Sequence, residues 1–153
     1  MATINGGKKL QEALDAIAKS VTKAATLKVG FLEGATYPDG TSVPMVAALL
    51  EFGHWYDTRD GRKQAGPWPY FRNMVAAKSP EWPDAIGNLL IANKYDADKT
   101  LHQAGMAIKG QLQQSIRDTN SPALKPSTIE RKGFAKPLIE TSHLINSVDY
   151  QVD

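Results

Sequence analysis

The sequence predicts an α+β fold in which a small, mainly antiparallel sheet packs against several helices. Three observations lead there. Apolar residues alternate in two short segments far apart in the chain: Leu27, Val29 and Phe31, then Val148, Tyr150 and Val152. Between them runs a long stretch at helical spacing, with Leu101, Ala104, Ile108, Leu112 and Ile116 on one face. The closing segment KPLIETSHLINSVDYQV carries Leu138, Ile139, Leu144 and Ile145 and is too apolar for an untied tail. A lone strand is unstable, so the two alternating segments, near 27–33 and 147–152, are expected to pair.

Taken in order, Leu10, Leu14, Ile17 and Val21 place an amphipathic helix over residues 8–25, with Lys8, Lys9, Glu12 and Lys19 towards water. Its stripe reads as core-facing, with a peripheral arm as the alternative. The first strand ends at Gly34, and YPDGTS at 37–42 is turn chemistry, with Thr41 or Ser42 able to cap the next helix. That helix is VPMVAALLEF, with Pro44 in its first turn and Gly53 past its end. Residues 53–69, with three Gly and two Pro among aromatic and charged groups, are expected to form a long exposed loop. A helix over YFRNMVAAK follows, then another capped by Ser79, then the long helix near 98–118, in which Gly105 and Gly110 either admit a close neighbour or are simply tolerated. A short helix capped by Ser127 with Glu130, and a single turn capped by Thr141, lead into the last strand. A third strand could come from residues 35–37 or 68–71.

The 153 residues, 42% hydrophobic and 22% charged, are expected to form a single domain. With no cysteine, thiolate metal sites and thiol nucleophiles are excluded. No apolar run reaches the roughly 20 residues of a membrane helix, and the start lacks the order of a signal peptide, so a soluble protein of a cytoplasm is expected. The formal charge of +2 is dispersed; RDGRK at 59–63 and ERK at 130–132 are the densest basic groups. His54, His102 and His143 are scattered, and Asp57, Asp60, Asp96 and Asp98 stand in polar turn or cap contexts. Glu51, ending an apolar helix, reads as an ion-pair partner of a nearby Lys or Arg rather than a general acid. No phosphate-binding glycine motif is present, and no enzyme, cofactor or metal is expected.

Four segments, VAALLEFG at 46–53, GPWPYFRNMV at 66–75, LKPSTIERKG at 124–133 and the closing KPLIETSHLINSVDYQV, occur in one order. Together they resemble the tail-completion or neck proteins of long-tailed bacteriophages, a virion morphogenesis family of head–tail joining components. The chain departs from the family's pattern at Ser142, where Gly is common, and at Trp68, where Arg is common. The resemblance implies a structural virion protein without enzymatic activity, found in the tail or neck of the virion and in the host cytoplasm before assembly. It implies self-association in a ring, partners such as a tail terminator, head–tail connector or adaptor, no membrane, and DNA contact only indirectly through the neck channel.

Ring components bind through aromatic and Arg anchors, which dominate interface energetics. Trp55, Tyr56, Arg59, Arg62, Lys63, Trp68 and Arg72 are the candidate interface residues, with Trp55 and Trp68 equally able to fold back on the core. A small nucleic-acid-binding accessory domain using Lys and Arg of the 54–67 segment is the alternative.

Overall fold

The structure, a computed structural model, describes residues 6–22, 26–119 and 142–153. Their elements run α1 Gly7–Val21, β1 Leu27–Phe31, α2 Val43–Phe52, β2 His54–Thr58, β3 Gly61–Ala65, α3 Tyr70–Lys78, a 3-10 turn Ser79–Glu81, α4 Trp82–Ala92, α5 Ala97–Asp118, α6 Ser142–Asn146 and β4 Val148–Val152. The fold is α+β. The helix capped by Ser127, the Thr141 cap and residues 23–25 of the expected first helix lie outside the described residues.

The two alternating segments pair as expected. β1 and β4 run antiparallel with Leu27 opposite Val152, Val29 opposite Tyr150 and Phe31 opposite Val148, so three apolar pairs share one face. Backbone bonds between Thr26 and Asp153, at 2.9 and 3.3 Å, extend the ladder by one rung. Lys28 pairs with Asp153 beside β1, and Lys109 Nζ lies 3.1 Å from Asp149 Oδ1, tying β4 to α5. Both aspartates are held below the usual carboxylate range: Asp149 by the Tyr150 backbone N–H and then Lys109, Asp153 by Lys28 and then Gln151.

Helix α5 lies across the sheet, and its small residues make this possible. A Cβ on Gly105 would stand 2.4 Å from Tyr150 Cδ2 and 2.9 Å from Leu27 Cδ1, so the strands pass where only glycine leaves room. Gly110 meets nothing within 4 Å and is merely tolerated. Asp96 caps α5 by accepting from Lys99 N at 3.0 Å, two residues before the expected opening at Asp98. Below the sheet, Leu112, Ile116, Val43 and Val148 are fully buried with Tyr70, forming a core with α3 and α6.

Three expectations are corrected. Residues 53–69 are not a long loop: β2 and β3 form a hairpin with Trp55 opposite Gln64 and Tyr56 opposite Lys63. Arg59 and Asp60 make its two-residue turn, Gly61 follows at φ 110°, and Thr58 Oγ1 donates to Gly61 O at 2.6 Å. Neither proposed third strand exists among the described residues, since 35–37 contributes only a Thr36–Ser42 bridge and 68–71 turns into α3. Ser79 does not cap α4; it opens a 3-10 turn that joins α3 to α4.

Candidate partner interface

The candidate interface is built around a helix that exposes apolar residues and buries its one charge. The sequence of α2 contains one charged residue, Glu51, and its side chain is buried at 5% exposure, while Met45, Leu49 and Phe52 face solvent at 53, 40 and 64%. Those three recur at steps of four and three, so one apolar stripe of the helix is outward while its single charge is inward beside Val43 and Ala47.

Glu51 points inward because α3 has no cap of its own. Pro69 stands at the N-cap position and offers no side-chain acceptor. The Glu51 carboxylate supplies it from the neighbouring helix, accepting from Phe71 N at 2.9 Å, Arg72 N at 3.1 Å and Arg72 Nε at 2.8 Å. The positive end of the helix dipole favours the same placement. In return, α3 and the chain before it satisfy two of the last carbonyls of α2, with Trp68 N donating to Leu50 O at 2.8 Å and Arg72 Nη2 to Glu51 O at 3.0 Å, and Tyr70 Oη donates to Ala47 O within the helix at 2.9 Å. Burial, then the Glu51 carboxylate and Tyr37, push the Tyr70 hydroxyl well above its ordinary range, so it remains a donor. Gly53 closes the junction, since a Cβ there would come within 3.0 Å of Ala65 O and Pro67 N.

The hairpin that follows exposes two further aromatic residues, one on each of its faces. Trp55 is 57% and Tyr56 42% exposed, and the Arg62 guanidinium lies 5.6 Å from the Trp55 ring centre. Arg72 is drawn by Glu51 to 5.1 Å above Phe52, a second cation on an exposed ring. A pocket of about 250 Å³ opens beside this ridge, lined by Phe31, Pro44, Ala48, Phe52, Phe71 and Arg72 among others.

Of the residues singled out in the sequence, Trp55, Tyr56, Arg59, Arg62 and Lys63 lie on the hairpin, and Arg72 stands apart on α3, over Phe52. Trp68 does not present itself; it is half-buried against the core. The basic residues do not form an open stripe, because Arg62 covers Trp55, Arg72 is bonded to Glu51, and Lys63 Nζ lies 3.9 Å from Asp60. The sequence reading missed Met45, Leu49 and Phe52, although a ten-residue helix with one charge was a readable signal.

Among the described residues, His102 Nδ1 is 3.3 Å from Tyr150 Oη and His143 Nε2 is 2.8 Å from Thr36 O, so the two belong to separate parts of the fold. No group of three or more His, Cys, Asp or Glu among those residues is placed to hold a metal ion, and no helix there is long and apolar enough to cross a membrane. Comparison with protein-family models, curated proteins and solved structures finds no match for the chain.

Proposed function

We propose that this chain is a structural virion protein of a long-tailed bacteriophage, acting at the head–tail junction and completing or joining the tail as part of a ring-like neck assembly. The observation that carries the reading is the outward apolar stripe of α2, with Trp55 and Tyr56 exposed on the hairpin that follows it. A protein surface of this kind suits another protein, because Trp, Tyr and Arg anchors supply most of the binding energy in interfaces. The ordered segments resembling tail-completion proteins name the class of partner. Two of those segments meet directly, since Glu51 of VAALLEFG caps the helix that begins in GPWPYFRNMV.

On this reading the core of α5 and the sheet is scaffold, and the α2–hairpin ridge meets a tail terminator, connector or adaptor subunit. Arg62 and Arg72, each over an aromatic ring, hold those rings in fixed orientations at low entropic cost on docking. The experiment is to make particles without this protein and examine them by electron microscopy. The reading expects heads and tails that fail to join or tails left incomplete; infectious particles with attached, normal tails overturn it.

A further inference from the structure

We draw no further inference here: the strongest candidate, the apolar groove between β1, α3, α4 and α5 together with the open stripe of α1, is lined by apolar residues alone, and nothing in the structure shows what covers either surface.

Discussion

The half of the molecule around α5 and the half around α2 use apolar residues in opposite ways. Across α5, Leu112, Ile116 and Val148 are turned inward and lose nearly all contact with water, and the exposed rim is charged: Lys28 with Asp153, Lys109 with Asp149. On α2 apolar residues stand on both sides, with Val43, Ala47 and Glu51 inside and Met45, Leu49 and Phe52 outside. A buried charge costs more than a buried methylene gains, so Glu51 stays inside only because it has three N–H donors waiting at the start of α3. The lesson is that one residue's structural duty can bury a charge on a helix whose opposite face stays apolar and exposed.

Removing that duty is the strongest way to break the contrast. Glu51→Ala should cost about 3 kcal/mol, because it strips the cap from α3 and leaves Arg72 without its carboxylate; denaturant unfolding measures it. Glu51→Gln, which keeps an acceptor oxygen, should cost less. An equal loss from both variants would assign the effect to packing instead of capping.

The α5 half can be probed at two glycines of one helix. Gly105→Ala should cost about 1–3 kcal/mol, since its Cβ would overlap the Tyr150 ring, while Gly110→Ala should gain roughly 0.5–1 kcal/mol from helix propensity alone. Thermal melts of the pair separate the close approach from simple tolerance. Acid offers a gentler probe of the same half. The folded state holds Asp149 and Asp153 below their ordinary value of 3.8, so their contribution to stability is present above that value. It is lost as pH falls through the lower folded values. Unfolding followed between pH 5 and about 2.5 should show a decline that Lys109→Met reduces.

What was legible in the sequence follows the same division. The pairing of the two end strands could be read because alternation on a one-sided sheet is a direct print of burial, and a register slip would turn Val29 and Tyr150 to the wrong face. The hairpin could not be read that way. HWYDT and GRKQA put polar residues on both faces, so alternation vanishes, and only the Asp60–Gly61 pair signalled a turn. The exposed stripe of α2 was hidden for a related reason: apolar residues on every side of a helix ordinarily mean burial, and which side meets the core depends on where Pro69 left α3 uncapped. The stripe of α1, read as core-facing, lies open because its nearest neighbour, α5, touches it only slightly.

The central claim is that the outer face of α2 is kept for a partner and does no work in the chain's own folding. Its most direct test is the denaturant unfolding free energy of the Met45→Glu, Phe52→Glu double variant beside the parent protein. The account predicts a difference below about 1 kcal/mol, as for surface substitutions. A loss of about 3 kcal/mol or more would mean that the face belongs to the core and would contradict it.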